Sequence, residues 1–166
     1  MILAALALAS VSHAQTPTTF KRPDCSIYSA SLKAERACVR EPKEMWKQAN
    51  FSALQKTGLM FTYMARPDSK NAPEAAKAAM EKQVEGSFVL RFSVNPDGTV
   101  YDVQTMEVTE GIQPLAKFWA DTIRQWTFAK TPKAVTGIEF RRIYMYTKED
   151  DDDARHRQQI EQSEEH

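Results

Sequence analysis

Between residues 84 and 146, apolar and polar positions fall into regular patterns. Phe88, Leu90, Phe92 and Val94 alternate with Val89, Arg91 and Ser93. A period of two predicts a strand with one fully apolar face and one mixed face. Asn95-Pro96-Asp97-Gly98 then supplies turn chemistry: proline pre-sets φ, aspartate tolerates the bridge region and glycine accepts positive φ. Thr99 to Met106 resumes as a strand, but Val100 and Val103 sit three apart, a slip that predicts a bulge or a strong twist. Ile112, Leu115, Trp119, Ile123 and Trp126 recur at spacings of three and four, the signature of one helical face, with Pro114 tolerated in the first turn. Thr127-Phe128 breaks that pattern, Pro132 marks a loop, and Gly137 to Tyr146 reads as a third strand. Phe88, Phe92, Trp119 and Trp126 are expected to pack inward as ordinary core.

The segment before this hairpin is less regular. Ala72 to Lys82 has helical character, as has Ser29 to Arg40. Pro42-Lys43-Glu44 reads as the opening of a further helix that runs into Met45 and Trp46 and stops at Gly58. Leu59 to Met64 is apolar on both sides and predicts a short strand or extended arm, packed on the sheet as an added strand or across the helix. Its methionines and aromatics are expected in the core, with an adaptable binding surface as the alternative. Arg66 to Asn71 reads as a turn or linker.

Composition sets the class. A chain of 166 residues with 42% hydrophobic and 27% charged content fits one principal globular domain. Met1 to Ala14 resembles an export signal, with an apolar run from Ile2 to Ala9 and the small-x-small sequence Ser12-His13-Ala14 before Gln15, the expected mature start. A buried N-terminal helix is the alternative. The apolar run falls far short of the ~20 residues needed to cross a bilayer. Cys25 and Cys38 are expected to pair in an oxidising compartment, with buried free thiols as the alternative. In the chain-entropy picture such a loop constrains the unfolded chain by roughly 3 kcal/mol.

The three histidines are His13, His156 and His166, so the span from Gln15 to Lys148 has none. That span therefore lacks the usual general base, the histidine-activated nucleophiles and the commonest transition-metal ligand. With only 5 glycines and no phosphate-cradling loop, neither an enzyme nor a cofactor or metal site is expected. Nucleic-acid binding is not expected either, because the positive excess of residues 1–148 is dispersed. Glu149 to Asp153 is a run of five acids, and Glu149 to His166 holds eight acids against two bases. Such a segment reads as a solvated, disordered tail. The sharper alternative is a self-shielding arm that covers a basic patch near Arg141 and Arg142.

Taken in order, a helix, Glu85-Gly86, a strand, a Pro-Asp-Gly turn, a strand, a helix ending in Arg124-Gln125-Trp126-Thr127-Phe128 and a last strand make this region resemble the TonB C-terminal domain family. The resemblance covers about Asn71 to Tyr146, with the TolA domain as a more distant likeness. It implies an α+β fold, a small antiparallel β-β-α-β sheet with a preceding helix, here joined to an N-terminal helical extension. The expected organisation is a signal over 1–14, a helical extension over 15–70, the TonB-like domain over 71–147 and the acidic tail from 148. The resemblance further implies a periplasmic interaction module that docks outer-membrane transport or envelope partners, since an open sheet edge accepts an extended peptide. The family's proline-rich spacer is absent, the 8 prolines being scattered. No transmembrane anchor is expected in the mature chain.

The strand expected to meet the partner is Arg141, Arg142, Ile143, Tyr144, Met145 and Tyr146, two-faced and placed at the rim. Proline at Ile143 would then abolish capture while sparing the helices. A homodimer by strand exchange is a further partner that the resemblance allows. The competing expectation is a stand-alone secreted or periplasmic inhibitor, or an accessory factor of an envelope complex, that uses the fold only as a scaffold.

Overall fold

The computed structural model describes residues 21–25 and 31–147. The expected signal and the acidic tail lie outside those residues. Within them the chain is α+β, with three α-helices and two small antiparallel sheets.

The first element is the largest. Helix α1 spans Leu32–Thr57, opened by Ser31, whose hydroxyl accepts from the Ala34 N–H, and closed by Gly58 at φ 70°. Hydroxyl caps and left-handed glycines satisfy groups that a helix leaves orphaned at its ends. Pro42 lies inside α1 and does not begin a new helix. An internal proline deletes one main-chain hydrogen bond and costs roughly 3 kcal/mol. Here packing overrides it: Val39 and Trp46 flank Pro42 and pack with Ile143 and Met145, so both halves of the helix are fixed along the same strand. A disulfide between Cys25 and Cys38 ties the preceding segment to the helix.

Strand β1, Phe61–Tyr63, does not join the main sheet; it pairs with β4, Thr127–Phe128, in a sheet of its own. The expected core role of this segment fails as well. Leu59 is buried, but Met60, Phe61, Tyr63 and Met64 are exposed. Among the described residues β1 pairs only with the two-residue β4, which leaves much of its side-chain surface uncovered although Phe61 meets the Trp126 and Phe128 rings. After the short helix α2, Glu74–Glu81, the hairpin forms from β2, Gly86–Val94, and β3, Val100–Val108. Phe88, Leu90, Phe92 and Val94 are all at most 1% exposed. The turn is made by the expected residues: the Asp97 carboxylate accepts from the Thr99 N–H at 2.9 Å and from its hydroxyl at 2.6 Å. Those bonds hold the Asp97 carboxyl below its ordinary range.

Gly98 is required twice over. Its φ is 91°, and a Cβ there would sit 1.9 Å from the Phe128 carbonyl oxygen. That close approach lets the Phe128 N–H reach the Gly98 carbonyl at 2.9 Å, joining the hairpin turn to β4. The slip foreseen in β3 is a bulge: Ser93 pairs with Tyr101 and Arg91 with Gln104, so three steps on β3 answer two on β2, with Asp102 at φ 51°.

Helix α3, Gln113–Ile123, covers the apolar face of the hairpin, with Ile112, Leu115, Trp119, Ile123 and Trp126 all buried. It is shorter than the periodicity suggested, because Trp126 belongs to the turn after it. The last strand, β5, spans Val135–Tyr144, two residues earlier than expected. It pairs with β2, giving the order β3-β2-β5.

Candidate functional site

In this order β3 and β5 are the two rims of the sheet, and they are treated differently. Arg141 faces Val89 on β2, yet its own main-chain groups turn the other way. The Asn50 side chain of α1 donates to the Arg141 carbonyl at 2.7 Å, and its amide oxygen accepts from the Arg141 N–H at 2.8 Å. One primary amide thus takes both groups that an added strand would use. Alternate residues of an antiparallel strand turn their main-chain groups to the same side, so Glu139 and Ile143 present theirs where Arg141 does, toward α1. Ile143 and Met145 are buried. Proline at Ile143 would therefore strike packing beneath α1 before it tested any docking edge. Strand β3 pairs only with β2 among the described strands.

The described residues pack α1 on β5 but leave a space beside that contact. A groove of about 970 Å³ lies there, and all six residues from Arg141 to Tyr146 line it. The chain has three tryptophans, Trp46, Trp119 and Trp126, and every one of them lines this groove. Its floor is a connected run of rings. Trp119 and Phe140 lie 5.0 Å apart; Phe140 and Trp126 meet edge to face at 5.6 Å; Trp126 and Phe61 do the same at 5.3 Å. Offset and edge-on pairs of this kind are favoured by the ring quadrupole.

Two indole N–H groups fix the floor. Trp119 donates to the Tyr144 hydroxyl at 2.8 Å, and Trp126 donates to the Ala65 carbonyl at 2.9 Å. The Arg142 guanidinium stands 5.2 Å above the Trp119 ring and 5.7 Å above that of Tyr144, a geometry that suits cation–π attraction. Phe51 on α1, Phe61 and Met64 stay exposed along the opening.

Electrostatics divide the site. Among the described residues Lys43, Lys47, Arg66, Arg141 and Arg142 line the groove against one acid, Glu44. Just below, Glu139 bridges Arg91 of β2 at 3.0 Å and Arg141 of β5 at 2.7 Å. The Arg91 hydrogen bond, aided by Arg141, holds the Glu139 carboxyl below the usual carboxylate range. At the far end of β5, the Tyr146 N–H donates to the Glu85 carboxylate at 2.9 Å, and Arg22 pairs with Glu85 and reaches the Tyr146 carbonyl. The lining thus offers rings and cations, while its one amide, Asn50, is engaged with the Arg141 main chain.

The sequence pattern nominated β5 but not its surroundings. Trp119 and Trp126 fell on the buried stripe of a helix, and both are buried by area; nothing in the spacing says that one edge of each ring also faces an opening. Phe51, Phe61 and Met64 carried the only available signal, apolar residues outside any clean amphipathic face.

No protein-family model matches this chain, and no curated protein matches it. Among solved structures, the solution NMR structure of the Pseudomonas aeruginosa TonB C-terminal domain aligns with 16% identity over 54% of this chain and 85% of that one, at a TM-score of 0.36. At that score the likeness is loose. No helix among the described residues is long and apolar enough to cross a membrane.

Proposed function

We propose that this chain acts by docking, as a TonB-like periplasmic interaction module that holds a segment of an envelope or outer-membrane transport protein. The observation that carries this reading is the aromatic groove beside β5, open to solvent and rimmed by cations. Rings held in fixed positions, Phe51 and Phe61 exposed and Trp119 and Trp126 showing only an edge, supply contact area at small entropic cost. The Cys25–Cys38 disulfide fits an oxidising compartment such as the periplasm.

The mode of docking differs from simple strand addition at β5. With Asn50 already bonded to Arg141, a partner strand would first have to displace α1. Side chains of the partner seated in the groove need no such rearrangement, and Arg141 to Tyr146 would meet them there. A second mode is favoured by one feature only: β3 has a rim that no described strand covers, and strand addition remains open to it.

A photoreactive residue at Tyr144 in the groove, compared with one at Tyr101 on β3, tests this in the native envelope. Crosslinking from Tyr144 alone, lost on Phe51→Arg, supports the groove. Crosslinking from Tyr101 alone moves the docking to the β3 rim. Silence from both sites defeats the docking reading.

A further inference from the structure

We infer that the acidic run Glu149–Asp153 of this same chain is a tethered occupant of the groove and competes there with the docking partner; this rests on the groove being the docking site proposed above. Three observations carry it. The groove lining runs to Tyr146, so the acids begin three residues beyond a residue that is already part of the wall. Extended chain covers up to about 3.3–3.6 Å per residue, so the run can lie at most roughly 10 to roughly 25 Å from Tyr146. The α1 wall from Lys43 to Leu54 is about 16 Å long at 1.5 Å per residue. Reach and length therefore agree.

The charges agree too. Among the described residues five bases and one acid line the groove, with Arg141 also bridging Glu139 and Lys47 lying 3.5 Å from Glu44, and five consecutive acids stand next to it in sequence. Arg142 is exposed and its guanidinium stands over the Trp119 and Tyr144 rings, which places a solvent-accessible cation at the groove. Tethering makes even a weak contact matter. A short linker gives an effective concentration on the order of 1 mM, so an intrinsic Kd near 100 μM would leave the run bound about nine-tenths of the time.

The test uses the full chain and a full-length variant carrying Glu149→Gln, Asp150→Asn, Asp151→Asn, Asp152→Asn and Asp153→Asn. The probe is a labelled synthetic peptide of residues 147–166, followed by anisotropy and by quenching of the three tryptophans. The expected result is peptide binding about tenfold tighter to the neutralised chain, because the native chain's own acids occupy the site. Raising salt to 1 M, where screening acts within about 3 Å, should abolish that binding. A peptide with the five acids amidated should not bind. Equal binding to the two chains, no binding to the neutralised chain, or undiminished binding of the amidated peptide would each overturn the inference. Crosslinking from Tyr144 keeps the two readings apart. A higher partner yield in the neutralised chain supports the competing tail, whereas an unchanged yield removes the tail and leaves docking standing.

Discussion

The sheet has aromatic side chains on both sides of one boundary, and their fates diverge. Phe88 and Phe92 on the central strand are sealed beneath α3. Phe140, one strand over and opposite Leu90 on the same face, is only half-buried: the Trp119 ring of α3 meets it at 5.0 Å, but its remaining surface lines the groove. The chemistry of the residues is alike, so the difference lies in what covers them. A ring under a second layer contributes to stability, whereas a ring at the margin of that layer remains available to a partner.

This contrast can be broken by substitution. Phe92→Ala in the sealed part should cost about 3–5 kcal/mol, since truncating a fully buried ring loses transfer energy and leaves a cavity. Urea unfolding with an unchanged slope would measure it. Removing the Cys25–Cys38 link by Cys→Ser should cost roughly 3 kcal/mol in the entropy model, read in the same assay with and without reductant. A negligible effect would mean that the packing of Val39 and Trp46 on Ile143 and Met145 holds α1 alone.

Asn50→Ala sharpens the boundary itself. It leaves both main-chain groups of Arg141 without their partner and should cost about 1–3 kcal/mol. Faster hydrogen exchange at the Arg141 amide, with that of Leu90 unchanged, would locate the effect at the rim. Unchanged exchange at Arg141 would show that α1 shields the strand without that amide. The smallest effect on stability is expected at the opening: Phe51→Ala should stay within about 0.5 kcal/mol while crosslinking from Tyr144 falls. Equal losses of stability at Phe51 and Phe92 would erase the distinction between the two regions.

A pH titration reaches the same boundary from its ionic side. Glu139 has a carboxyl lowered in the folded chain, chiefly by Arg91. A lowered carboxylate contributes stability above its unfolded value and loses it as pH falls through the folded value. The native chain should thus weaken on acidification below the ordinary glutamate range. Glu139→Gln should flatten part of that slope, and an identical slope in the variant would place the acid sensitivity elsewhere.

Much of this was legible along the chain. The alternation through Phe88 to Val94, the Asn-Pro-Asp-Gly turn, the slip at Val103 and the stripe of α3 each follow from local geometry, where a residue and its near neighbours decide the outcome. The continuation of α1 through Pro42, the pairing of β1 with β4 and the exposure of Met60 to Met64 did not follow, because each depends on a partner distant in sequence.

Of the nominated residues, Arg141 to Tyr144 belong to the rim strand β5 and Met145 and Tyr146 follow its end, and the character of that rim changed in three dimensions. Asn50, 91 residues away, occupies the ladder at Arg141, and Trp119 and Trp126 turn a core stripe into the floor of a groove. By itself the sequence determined the hairpin, its turn and the apolar face beneath α3, since period and turn chemistry are short-range properties. Only the tertiary structure decided which rim is covered and which rings stay open, because covering a surface takes a second element whose position no local pattern encodes.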